Sequence, residues 1–320
     1  MIIYLSHWKH HYPVKHLIDG KYLVHLSYDE AFRQKRLHRA TYIFTDLDRL
    51  SLMDLELAAN VYIQLKEGGA HVLNNPALVA SRFELLRKLH AEGINDFNAY
   101  RPSLSQWPER YPVFLRRDSF HSGALSGLIH DKPSLVEHLN QLENQGVPRA
   151  NTIAVEFALD PVTEDIYRKR AVFKIGEHFF PTVSVFEKNW SVKLGDKCQI
   201  PVHYIDGELS RMDFVPYRNQ IHRAFDLAGI DYGRIDFGVY QSNPQFYEIN
   251  TNPMAIAPYT GDDETLRKCH DILRKNFLAA LQELSKNGPP FRKNAIGLHR
   301  HRLLEHRREA RWRSWSSPTI

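Results

Sequence analysis

Two carboxylates and a carboxamide fall within one short stretch of this 320-residue chain, Gly233 to Pro253, which reads GRIDFGVYQSNPQFYEINTNP. Apolar segments flank the turn-rich QSNPQ, a pattern that predicts a β-hairpin. Side chains alternate between the faces of a strand, so Glu248 and Asn250 share one face of the second strand. A turn centred near Ser242 or Asn243 brings Asp236 opposite them on that face. Hard oxygen donors of this kind suit Mg²⁺, which keeps several waters and takes its other ligands from substrate phosphates. The same spacing also fits an edge hairpin whose acids simply face water.

The whole string, with its GRID opening and its N-T-x-P ending, resembles the closing motif of the ATP-grasp superfamily. In that motif a D…E-x-N pattern binds Mg²⁺ and ATP, and the ends look like those of the D-alanine–D-alanine ligase branch. The resemblance makes Asp236, Glu248 and Asn250 metal ligands. It makes Arg234 the cation that steadies negative charge on the transferred phosphate or tetrahedral intermediate.

Other segments follow in the order this resemblance requires, over roughly Val72 to Pro253. VLNNP and the helix after it are similar to the handover from an N-terminal domain. YPVFLRR resembles the strand whose single cation touches the nucleotide phosphates. Arg116 matches that position and Arg117 points the other way. Arg departs from the commoner Lys there, but its planar fork can hold phosphate oxygens bidentately. HSGALSG resembles the Gly/Ser-rich phosphate lid, which would bring in Ser122, Gly123, Ser126 and Gly127. Such loops let backbone N–H groups approach an anion, although most Ser/Gly loops are ordinary turns.

IAVEFAL resembles the hinge strand, where backbone groups of Glu156, Phe157 and Ala158 would meet the adenine edge. Asp160 or Glu164 would then accept hydrogen bonds from the ribose. IYRKRAVFKIGEHFFP resembles the strand that presents a cation to the phosphates. Counted back from Gly176, the usual position falls on Ala171. A regular strand favours Lys169, which shares that face, and a bulge favours Arg170.

These groups must be held by regular elements. MIIYL, TYIFTD and AHVLNNP read as short buried strands, and Leu52–Glu67 and Ala77–His90 as helices, the first stopped by Gly68 and Gly69. Such alternation indicates an α/β sheet. Beyond Pro102 the texture becomes α+β. YPVFLRRD, TIAVEFAL and RKRAVFKIGEHFFPTVSVF read as strands, the last turning at Gly176 and Glu177, with helices over Pro133–Asn144 and Leu266–Leu284. The expected organisation is a short N-terminal α/β domain (1–100), an ATP-grasp domain of two α+β subdomains (101–288) and a basic C-terminal tail (289–320).

The formal charge is +5. From Lys286 onward nine Lys or Arg face only Glu305 and Glu309, a net of +7, so residues 1–285 sum to −2. The body therefore gives no reason to expect nucleic acid, and the tail is the part expected to dock a protein or an acidic surface. Two cysteines are too few for a disulfide framework, and no apolar stretch is long enough to span a bilayer, so a cytoplasmic setting is expected. His7, His10 and His11 lack a neighbouring carboxylate or thiolate in sequence and read as an exposed loop after the first strand. The expected activity is ATP- and Mg²⁺-dependent ligation, in which a small-molecule or peptide carboxylate is activated as an acyl phosphate for attack by an amine. A kinase on the same fold and a non-catalytic nucleotide-binding scaffold are the alternatives.

Overall fold

The computed structural model describes residues 1–18, 22–119, 123–192, 202–254 and 259–299. The chain begins with β1 (Ile2–Ser6), β2 (Leu23–Ser27), α1 (Tyr28–Arg33), β3 (Arg36–Arg39), β4 (Thr41–Phe44), α2 (Leu52–Glu67) and β5 (His71–Leu73). β2, β1, β4 and β5 lie in that order in a parallel sheet. β1 and β4 are buried along their whole length, and strands covered on both faces need continuous apolar runs. Ile3, Leu5, Tyr42 and Phe44 pack with Leu57, Val61 and Leu65 of α2. Ile2, Tyr4 and Ile43 join a second cluster on the other side.

The next elements are α3 (Arg82–Ala91), β6 (Ala99–Tyr100), β7 (Val113–Arg117), α4 (Lys132–Asn144) and β8 (Thr152–Glu156). β8 runs antiparallel between β6 and β7, with Leu135 and Leu139 of α4 packed on Val113 and Leu115. The helix expected from Ala77 starts instead at Arg82. Ser81 accepts from the Glu84 N–H while Glu84 reaches back to the Ser81 N–H, and this reciprocal cap fixes the start.

The larger sheet follows: β9 (Tyr167–Ile175), β10 (His178–Pro181), β11 (Val185–Glu187), then α5 (Val202–Arg211), α6 (Arg218–Ala228), β12 (Tyr232–Tyr240) and β13 (Asn243–Asn250). The order is β10-β9-β12-β13, with β11 also on β9. Ile221 and Phe225 of α6, with Leu85 and Leu89 of α3, pack on Val172, Ile235 and Phe237. Phe173 and Ile175 face the other way, onto Phe277 and Leu281 of α7 (Glu264–Asn287).

β14 (Arg292–Gly297) closes the described chain by pairing antiparallel with β3. Ile296 is buried in the N-terminal cluster, so the first part of the expected tail packs on the body. Residues 300–320 lie outside the described residues. None of the described helices is long and apolar enough to cross a membrane.

Candidate active site

The hairpin forms as its sequence predicts. Asp236 pairs with Glu248 and Arg234 with Asn250, placing the motif's four polar residues on alternate rungs and so on one face. The register shifts between Asp236 and Phe237, which is next opposite Phe246, so Tyr247 is the extra residue of a bulge. Gly238 makes room for it, since a Cβ there would collide with the Tyr247 hydroxyl and with Leu159.

A cleft enclosing about 830 Å³, mouth included, lies between this sheet and the β7–β8 layer. Phe97, Phe114, Val155, Phe157, Leu159, Trp190 and Tyr247 line one part of it, and Arg116, Lys169, Asp236 and Glu248 the other. Phe114 and Phe157 bracket the Trp190 ring at 4.8 and 5.7 Å between centroids. One part thus suits a flat, largely apolar ring and the other suits charge.

Each carboxylate at the charged part is held by two cations. Arg234 grips Asp236 through Nε–Oδ1 at 2.8 Å and Nη2–Oδ2 at 3.2 Å, and Lys169 Nζ lies 3.4 Å from Asp236 Oδ2. Glu248 Oε2 accepts from Arg82 Nη2 at 2.5 Å and from Arg116 Nη2 at 3.0 Å. Burial, with Arg82 nearby, pushes the Arg116 guanidinium down to about 10 despite Glu248. Burial opposes the charge on Arg234 too, but Asp236 and Glu248 outweigh it and hold that group above its ordinary value.

The donor set fits Mg²⁺ rather than a metal caged entirely by protein. Among the described residues no three His, Cys, Asp or Glu side chains form a ligand cluster. Two opposed carboxylates beside several cations are what a magnesium ion shared with a polyphosphate needs. Asn250 stands two rungs beyond them and does not line the cleft; its Oδ1 accepts from the Asn252 N–H at 2.8 Å.

Not every expected contact is brought together. Arg234 touches the site through Asp236 and is itself outside the cleft lining. Lys169 lines the cleft, whereas Arg170 pairs with Phe237 on the reverse face, because the bulge sits in β13 and leaves β9 regular. Gly123 lines the cleft. Ser126 instead accepts from the Leu115 N–H and donates to the Gly127 carbonyl, bracing the loop on β7; neither lines the cleft, and Ser122 lies outside the described residues. Glu156, Phe157 and Ala158 are all in the lining. The Glu156 carboxylate is turned inward to Tyr100, Asn98 and Arg110, and the Phe157 N–H is spent on the Pro112 carbonyl. Asp160 accepts from the Gln241 N–H at the hairpin turn, and Glu164 is exposed. Neither lines the cleft, so the structure does not bring the two expected ribose acceptors to it.

Sequence reasoning missed Arg82 and the aromatic wall. Arg82 opens α3, where a charge ordinarily reads as solvated, yet it also donates to the Arg117 and Asp118 carbonyls at 2.5 and 3.0 Å. A usable signal for the wall was the Phe114–Arg116 alternation in β7. The segment after β1 is a loop as expected, with Trp8 and Tyr12 exposed, but His7, His10 and His11 are half-buried. His10 Nδ1 lies 3.3 Å from buried Asp46, and Asn252 Nδ2 donates to Asp46 Oδ1 and to the His10 carbonyl. That loop is thus pinned to the strand end that follows Asn250.

No family model and no curated protein sequence matches the chain. Solved structures do. The D-alanine–D-alanine ligase of Bacillus anthracis complexed with ATP aligns at 13% identity over 89% of this chain and 99% of its own, with a TM-score of 0.50. The D-alanine–D-alanine ligase of Coxiella burnetii aligns at 12% identity over 98% and 99%, with a TM-score of 0.48.

Proposed function

We propose that this chain, whose fold is that of the ATP-grasp ligases, is an ATP- and Mg²⁺-dependent ligase joining a carboxylate to an amine. The observation that carries the reading is the cleft itself, an aromatic slot that ends at two opposed carboxylates, each held by two cations. The slot would take adenine, with the Ala158 N–H available to it, since no acceptor meets that group among the described residues. Lys169 and Arg116 would bind the phosphates, and Arg82 would keep Glu248 in place. Mg²⁺ on Asp236 and Glu248, with Asn250 beside them, would screen the phosphate charge when bound.

The substrate carboxylate oxygen attacks the γ-phosphorus, forming an acyl phosphate and releasing ADP. The amine then attacks the acyl carbon, loses a proton and expels inorganic phosphate. Little covalent work falls to the protein, which positions the reactants and neutralises charge. Arg234, anchored on Asp236, is the cation for the oxyanion that develops.

The experiment supplies MgATP with pools of amino acids, peptides and metabolite acids. ADP and phosphate should appear only with a carboxylate present, and hydroxylamine should divert the acyl phosphate into a hydroxamate. Arg234→Ala should suppress hydroxamate formation by about 2.7–4 kcal/mol in barrier while largely sparing MgATP binding. A stable phosphorylated product without hydroxamate would assign a kinase, and MgATP binding without turnover across the pools would favour a scaffold.

A further inference from the structure

Buried guanidinium groups are ordinarily neutralised, because an uncompensated charge in a poorly hydrated setting is costly. In the charged part of the cleft each of the four cations at least meets a carboxylate. On the reverse face of β9 two cations do not. Arg168 and Arg170 stand two residues apart on that strand, hence on one face, and both are half-buried. Arg168 Nη1 and Arg170 Nε are shielded from solvent and have no hydrogen-bond partner. Neither side chain meets a carboxylate at ion-pair distance among the described residues; Arg168 lies instead over the Phe186 ring, 5.9 Å from its centroid. A third guanidinium, Arg211 at the end of α5, is near enough to repel both, and its own Nη1 lies 3.3 Å from Glu208 Oε1. Burial, then mutual repulsion, pushes Arg168 down to about 10 and lowers Arg170 as well.

One further feature belongs to the same place. α6 starts there, its cap residue Tyr217 gives the helix no side-chain capping bond, and its first turn holds no acid. Its amino end therefore keeps free N–H groups and a positive dipole end. Tyr217 neighbours Arg170 and thereby sets this helix end beside the arginine pair.

We propose that Arg168, Arg170 and Arg211, with the amino end of α6, form a second anion site that binds a dianionic phosphate group. Among the described residues, three guanidiniums against Glu208 leave a residual charge of +2, which a phosphate dianion matches, and planar guanidinium forks suit its oxygens. The source is either free inorganic phosphate or a phosphate monoester.

The test uses the full chain in thermal melts and calorimetry at constant ionic strength, with inorganic phosphate and glycerol 3-phosphate as probes. Arg168 also borders the cleft, so only Arg170→Met and Arg211→Met are made. Either probe should raise the wild-type melting temperature saturably, and whichever binds more tightly identifies the source. Each variant should bind it roughly tenfold or more weakly, the loss of one charged hydrogen-bond donor, with the MgATP-induced shift unchanged. Without phosphate, Arg170→Met should melt no lower than wild type, because it removes an uncompensated charge. The site is overturned if neither probe exceeds chloride at equal ionic strength. It is overturned equally if both variants keep the phosphate response, or if Arg170→Met is itself strongly destabilised.

Discussion

Glu248 holds two guanidiniums at once, Arg82 at 2.5 Å and Arg116 at 3.0 Å, so its charge serves the fold as well as the metal role proposed for it. Glu248→Gln preserves size and removes that charge. The variant should lose the melting-temperature rise produced by MgATP. Its ligand-free stability should fall by about 1–3 kcal/mol, because two buried donors lose a charged acceptor. Urea unfolding measures the second effect, and an unchanged midpoint would mean that the two arginines are satisfied elsewhere. His25 supplies a pH signature. Burial first, then the neighbouring His11, pushes its imidazole from 6.5 down to about 4, with Glu30 working the other way. Between those values the unfolded chain binds the proton and the folded chain does not, so this contribution to stability is complete above about 6.5 and is lost as the pH falls through about 4. His25→Gln should therefore flatten the fall in melting temperature over that window. A variant with the wild-type slope would assign the acid loss to other groups.

Elements with a strong local signal were legible in the sequence, and those stabilised from far away were not. α2 runs over Leu52–Glu67 as its apolar spacing and the Gly68–Gly69 stop predict, and the closing hairpin has the anticipated register of Asp236 against Glu248. β3 and β14 carry no such signal. RLHR and RKNAIG are charged, and each becomes a strand because the other lies beside it across the length of the chain. Arg82 was hidden for a related reason, since only the fold reveals that the first turn of α3 faces Glu248. The β3–β14 pair is thus a tertiary feature, and Ile296 is its apolar anchor beside Leu37 and Tyr42. Ile296→Ala should cost about 2–5 kcal/mol, the usual range for emptying a buried aliphatic site. Chemical denaturation checks this, and a loss well under that range would show that the strand is held by its backbone pairing alone.

At the scale of the whole molecule, the N-terminal sheet and the hairpin sheet are joined by buried amides rather than by apolar contact alone. Asn74, fully buried after β5, donates to the carbonyls of Phe44 and Tyr232 at 2.8 Å each and accepts from the N–H groups of Asp231 and Tyr232 at 2.8 and 2.9 Å. Its φ of +63° lies in the left-handed region, which Asn tolerates better than most residues. On the other side of the same junction, Asn252 accepts from Tyr4 and donates to Asp46 and the His10 carbonyl. Through these two residues the strand bearing Arg234 and Asp236, and the end of the strand bearing Glu248, are indexed to the carboxyl ends of β1 and β4. Asn74→Ala should break half of that index. It leaves buried peptide groups of β12 unpaired, at about 1–3 kcal/mol for a single such group, and adds about 1–2 kcal/mol for a left-handed residue without the amide. Scanning calorimetry should show one transition for the wild type. For the variant it should show an earlier, broader one in which the N-terminal unit melts first. The MgATP-induced shift should survive, because Asn74 does not line the cleft. If the variant instead melts as sharply as the wild type, the two sheets are coupled by their shared apolar cluster and the amides contribute only local order.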